Sequence, residues 1–182
     1  MYGGAFNPPT IAHHRIILEI KKQYPNDQLI IVPVGDHYNK PSLVSFNHRQ
    51  SMLKAMEASL TIIDLEQHIP FKGTIHTLDY LKKTYQEEVG FIIGSDQLEH
   101  VHTWIDYEKL LKTYEVIIVT RPNYEIHRFE STLQLLGATY HILPLSMDVS
   151  STLFRGSNHK NALTKPVLKY IKKHHLYEGT HV

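Results

Sequence analysis

Thr10 and His13 stand three residues apart, just behind the stretch Gly3-Gly4-Ala5-Phe6-Asn7-Pro8-Pro9. That spacing puts a hydroxyl and an imidazole on one face of a helix beginning near Pro9. The two glycines let the backbone turn and let a ligand approach closely, and the first N–H groups of a helix attract an anion. An imidazole at that place donates to oxygens on which charge builds during phosphoryl transfer. Taken alone, the stretch reads equally as ordinary turn punctuation before a helix that carries a solvated histidine.

A second anion-binding element lies near the other end, where Val149-Ser150-Ser151-Thr152-Leu153-Phe154-Arg155 follows the apolar run 141–145. Ser150 or Ser151 reads as a helix N-cap with hydroxyl donors, and Arg155 brings a planar fork able to take two oxygens at once. By itself this element reads as a Ser-capped helix with a solvated arginine. Two such elements from opposite ends of one chain suit a triphosphate.

The elements that must position these residues alternate. Short β-branched runs at 28–32, 60–64, 88–93, 115–120 and 140–143 read as strands. Helices are expected at 10–23, 46–58, 74–85, 103–113, 124–136 and 165–174, with a short turn at 152–156. Strand and helix in alternation predict an α/β fold, a Rossmann-like doubly wound parallel sheet whose ligands sit beyond the carboxyl ends of its strands. Only Met1 and Tyr2 precede Gly3, so either the first strand is truncated or residues upstream of Met1 complete it.

Together these elements resemble the nucleotidyltransferase superfamily of the (H/T)xGH type with its ISSTxxR partner, and within it the bacterial nicotinate mononucleotide adenylyltransferases. The resemblance extends through Tyr38-Asn39-Lys40-Pro41, Gly73-Thr74-Ile75-His76-Thr77-Leu78, Gly94-Ser95-Asp96 with Trp104 and Tyr107, and the ending Val167 to Tyr177. It implies transfer of the adenylyl group of ATP to nicotinate mononucleotide, with pyrophosphate released.

Under that resemblance Thr10, His13 and Arg155 are catalytic. His13 takes the last position of the signature and donates to the α-phosphate. Gly4, Ala5 and Phe6 lie along ATP, Ser151, Thr152 and Arg155 meet its β and γ phosphates, and Gly94 and Asp96 hold its ribose. Asp96 reads as well as a cap of the following helix. Lys40 meets phosphate or is a solvated loop lysine. The N–H groups of Thr74 and Ile105 take the nicotinate carboxylate, and Trp104 stacks on the ring or is a half-buried core residue. Asn7 stands where Asp is usual, Ala12 where Gly is usual, and His76 where Asp is usual. Mg²⁺ arrives on ATP, so no protein metal site is expected. The alternatives are a sister enzyme, pantetheine-phosphate adenylyltransferase, and a non-catalytic nucleotide-binding domain of the same fold.

At 182 residues the chain is read as a single nucleotidyltransferase domain over 1–182. A net charge of +1 gives no bulk attraction to nucleic acid or to a membrane surface, so basic phosphate contacts must be local. With no cysteine there is neither a disulfide scaffold nor a zinc–thiolate site, and the 14 histidines lack metal-ligand spacing. The longest apolar run, 29–34, is too short to span a bilayer, and no secretory signal opens the chain, so a cytoplasmic enzyme is expected. Oligomeric state is open.

Overall fold

The computed structural model describes residues 1–38, 42–120, 127–145 and 162–178. Six strands, β1 (Tyr2–Gly4), β2 (Ile30–Pro33), β3 (Thr61–Ile62), β4 (Phe91–Gly94), β5 (Val116–Val119) and β6 (Tyr140–Leu143), form one sheet in the order β3-β2-β1-β4-β5-β6. That order, with parallel pairing at β2–β3, β1–β4, β4–β5 and β5–β6, is the doubly wound Rossmann-like arrangement. The helices among the described residues are α1 (Ile11–Gln23), α2 (Phe46–Met56), α3 (Leu65–His68), α4 (Thr74–Tyr85), α5 (Ser95–Leu98), α6 (Tyr107–Thr113), α7 (His127–Leu135) and α8 (Lys165–Lys173).

The chain falls into two compact units. The first comprises Met1–Gly3 and Pro70–Met147. Its strands β4 and β5 are apolar runs because both faces are covered, and its core joins Phe91, Ile93 and Ile118 to Leu78 of α4 and Leu110 of α6. The short β1 is anchored here: Tyr2 pairs with Ile92, and Ile92 N donates to Met1 O at 2.9 Å.

The second unit comprises Gly4–Ile69 and Asp148–Val182. Its helix α1 turns Ala12, Ile16, Ile17 and Ile20 inward, the spacing of one helical face, and ends on Lys21 and Lys22, which suit the negative end of the dipole. Each buried isoleucine contributes about 1.5–3 kcal/mol. Helix α8 starts at the Thr164 N-cap with Pro in its first turn and buries Val167 and Ile171.

Two expectations change. Gly3 and Gly4 do not form a turn; they end β1, and the left-handed residue is Phe6, with φ 48°. A Cβ on Gly4 would lie 3.4 Å from the Phe6 ring, so the glycine makes room for that ring. The helix expected over 103–113 is broken: a 3₁₀ turn (Val101–Thr103) precedes an extended Trp104, and α6 begins only after Asp106. Asp106 takes the left-handed conformation at φ 51°, which an Asp tolerates and which stops the apolar spacing of Trp104, Tyr107, Leu110 and Leu111 from being one helix. Of helix 124–136, residues 124–126 lie outside the described residues, as does the turn 152–156.

Candidate active site

In the second unit the segment Phe6–Thr10 is buried throughout and delivers the chain to α1. Thr10 is the N-cap, with extended backbone, and His13 is the third helical residue. The two close a reciprocal capping box in which the usual Glu or Gln is replaced by an imidazole, and Thr10 N–H donates to His13 Nδ1 at 2.9 Å. Thr10 Oγ1 lies 2.8 Å from the same nitrogen. A backbone N–H always carries its hydrogen, so Nδ1 is the acceptor and the proton of the neutral ring sits on Nε2. The cap thereby fixes both the tautomer and the direction of His13. The Phe6 ring packs 5.1 Å from the imidazole and limits its swing.

Arg49 completes the support of this loop, and sequence reasoning missed it. Its side chain has 0 % exposure. Nε donates to Val44 O at 2.8 Å, Nη1 to Ala5 O at 3.1 Å and Nη2 to Asp36 Oδ1 at 3.0 Å, while Asp36 Oδ1 also accepts Phe46 N–H at 2.6 Å. Burial pushes the guanidinium pKa down, and the hydrogen bond and charge of Asp36 oppose that. The signal was present: Phe46, Arg49, Met52, Leu53 and Met56 share the buried face of α2, where an arginine must be paired and fully bonded.

The first unit carries the residues expected for the sugar and the ring. Gly94 closes β4 and is the N-cap of α5, and Asp96 lies in the first turn of that helix. Gly73 is the N-cap of α4, with φ 100° and ψ 152°, and no acidic residue occupies the first turn that begins at Thr74. Ile105, far from Thr74 in sequence, is brought against the glycine just before it: a Cβ on Gly73 would lie 2.9 Å from Ile105 Cβ. The absence of that atom lets the 104–106 segment close on the helix start. Ile105 keeps 51 % exposure despite being apolar. Trp104 is half-buried on the edge of the core, and His76 is exposed.

Gly73→Ala should therefore be felt at this place first. The backbone region is almost reserved for glycine, at a cost of about 1–3 kcal/mol for another residue, and the new methyl displaces Ile105. Under the resemblance described above, the expected result is a KM for the mononucleotide raised about tenfold or more, with the KM for ATP little changed. Equal KM values in parent and variant would dissociate Gly73 from substrate binding.

Lys40, Ser151, Thr152 and Arg155 lie outside the described residues. Among the described residues no group of three or more His, Asp or Glu is placed to hold a metal ion, and no helix is long and apolar enough to cross a membrane.

The model of the cytidylyltransferase-like family matches residues 1–157. A protein of Acholeplasma laidlawii named "Probable nicotinate-nucleotide adenylyltransferase" is 35 % identical over 188 residues, covering 100 % of this chain and 98 % of that one. One of Bacillus pumilus with the same name is 32 % identical, covering 98 % and 97 %. The structure of Plasmodium falciparum nicotinic acid mononucleotide adenylyltransferase complexed with NaAD superposes with a TM-score of 0.80 at 23 % identity, over 97 % of this chain and 95 % of that one. That likeness shows the fold.

Proposed function

Because the chain belongs to the cytidylyltransferase-like family and, within it, to the nicotinate-nucleotide adenylyltransferases, we propose that it transfers the adenylyl group of ATP to nicotinate mononucleotide. The products are nicotinate adenine dinucleotide and pyrophosphate, in NAD biosynthesis. The observation that carries this reading is the Thr10–His13 cap, which leaves a ring proton on Nε2 at the start of a helix behind a buried, braced loop.

In the reaction a phosphate oxygen of the mononucleotide attacks the α-phosphorus of ATP in line. The new P–O bond forms as the bond from that phosphorus to the α,β-bridging oxygen breaks, and pyrophosphate leaves with the electron pair. An ionised phosphate is already a nucleophile, so positioning and charge neutralisation do the catalysis. His13 Nε2–H donates to the α-phosphate as charge builds, with Gly4, Ala5 and Phe6 along the nucleotide. Ser151, Thr152 and Arg155 meet the β and γ phosphates, Lys40 a further phosphate, and Gly94 and Asp96 the ribose. The N–H groups of Thr74 and Ile105 take the nicotinate carboxylate, and Trp104 stacks on its ring.

Mg²⁺ accompanying ATP would neutralise part of the triphosphate charge, and among the described residues no group of protein side chains is placed to hold it. In this reading residues 1–182 act as one nucleotidyltransferase domain, in the cytoplasm, with ATP and the mononucleotide as partners and neither nucleic acid nor membrane.

The test is pyrophosphate release with ATP and a panel of nicotinate mononucleotide, nicotinamide mononucleotide and phosphopantetheine. Fastest release is expected with nicotinate mononucleotide. Preference for phosphopantetheine would assign the sister reaction, and no release with any of the three would leave a binding domain.

A further inference from the structure

The Leu176-Tyr177 ending has no part in the reaction as written above, yet the fold brings Tyr177 to the phosphate loop. Asn7 is 0 % exposed, and its amide is met from three directions. Nδ2 donates to Ser42 O at 2.8 Å, and Oδ1 accepts Val44 N–H at 3.1 Å and the Tyr177 hydroxyl at 2.8 Å. The donors and acceptors match one orientation of the amide only, and both lone pairs of Oδ1 are filled. The hydroxyl comes from 170 residues further along the chain. To deliver it, the chain after α8 takes left-handed conformations at two non-glycine residues, His175 (φ 53°) and Tyr177 (φ 64°). Such conformations persist where the surroundings over-determine them, and they cluster at working sites.

We propose that Tyr177 is a positioning residue for the adenylyl transfer, holding the Gly4–His13 loop through Asn7. The inference rests on the phosphate reading of that loop. Three contacts space themselves along it: Arg49 on the Ala5 carbonyl, Tyr177 on the Asn7 amide, and the Thr10 cap on His13. Donors that stabilise a phosphoryl transition state act only when held in place beforehand, and a displacement near 1 Å costs up to about a hundredfold in rate. The C-terminal turn is thus part of the catalytic framework, through one hydroxyl and without contact with substrate.

Tyr177→Phe removes that oxygen and keeps the ring. In the full-length protein the expected result is a kcat lowered about tenfold, an unchanged KM for the mononucleotide, a nearly unchanged melting temperature, and displaced ¹⁵N resonances of the His13 ring. On a His13→Ala background the same substitution should cost almost nothing, because both act through one loop. The proposal is overturned by parental kcat in Tyr177→Phe, or by an equal loss of kcat with and without His13. If His13→Ala itself turns over normally, the phosphate reading of the loop fails instead, whatever Tyr177→Phe does.

Discussion

Replacing His13 by alanine should lower kcat by about a hundredfold or more, the usual loss for one transition-state donor, with mononucleotide binding near normal. The structure adds a complication that spacing alone does not show. His13 Nδ1 is also the acceptor for Thr10 N–H, so alanine removes half of the α1 cap as well as the donor. Loss of such a cap costs about 0.5–2 kcal/mol of stability. His13→Glu separates the two effects, since Glu is the ordinary capping-box residue at that position. It should restore the melting temperature lost in His13→Ala and remain inactive, having no proton to donate and a charge that repels triphosphate. Turnover within about threefold of the parent in His13→Ala would remove the donor role assigned by transition-state stabilisation.

Saturating nicotinate mononucleotide should quench the emission of Trp104, the only tryptophan, and ATP alone should do much less. Trp104 is extended, outside any helix, and half-buried against the edge of the first unit's core, with Ile105 exposed beside it. A ring placed so has one part packed and another open to a flat partner. Trp104→Ala should weaken mononucleotide binding by about 1–3 kcal/mol, the range for stacking of a base on an aromatic ring, and leave ATP affinity near normal. Removal of a fully buried tryptophan costs about 3–5 kcal/mol of stability, and partial burial places Trp104 below that. Unchanged emission at saturation, together with a variant that melts far below the parent and binds both substrates poorly, would make Trp104 a packing residue.

The layout of the sheet was legible because its signals are local. Parallel strands covered on both faces read as unbroken apolar runs, and β6 falls on the expected 140–143 while β2, β4 and β5 fall within a few residues of theirs. Helix α4 falls on the expected 74–85, with Gly73 as its N-cap and Ile75, Leu78 and Leu81 on its buried face. Asp106 defeated the reading of 103–113, because a single left-handed residue breaks a helix without disturbing its apolar spacing.

The sequence by itself determined the chemistry on offer: Thr10 and His13 at helical spacing, a small-residue approach to them, and enough matching segments to name a reaction. What it left open was how those groups are held. The Arg49 bond to Ala5, the Asn7 amide between Ser42, Val44 and Tyr177, and the approach of Ile105 to Gly73 each join residues distant in the chain. Spacing along a helix or strand reports which side chains share a face, but which backbone carbonyl a buried guanidinium or amide will meet is settled only when the elements pack and every buried polar group has to find a partner. The tautomer of His13 belongs to the same class: the residue was visible in the sequence, and the nitrogen that keeps the proton was decided by the folded cap.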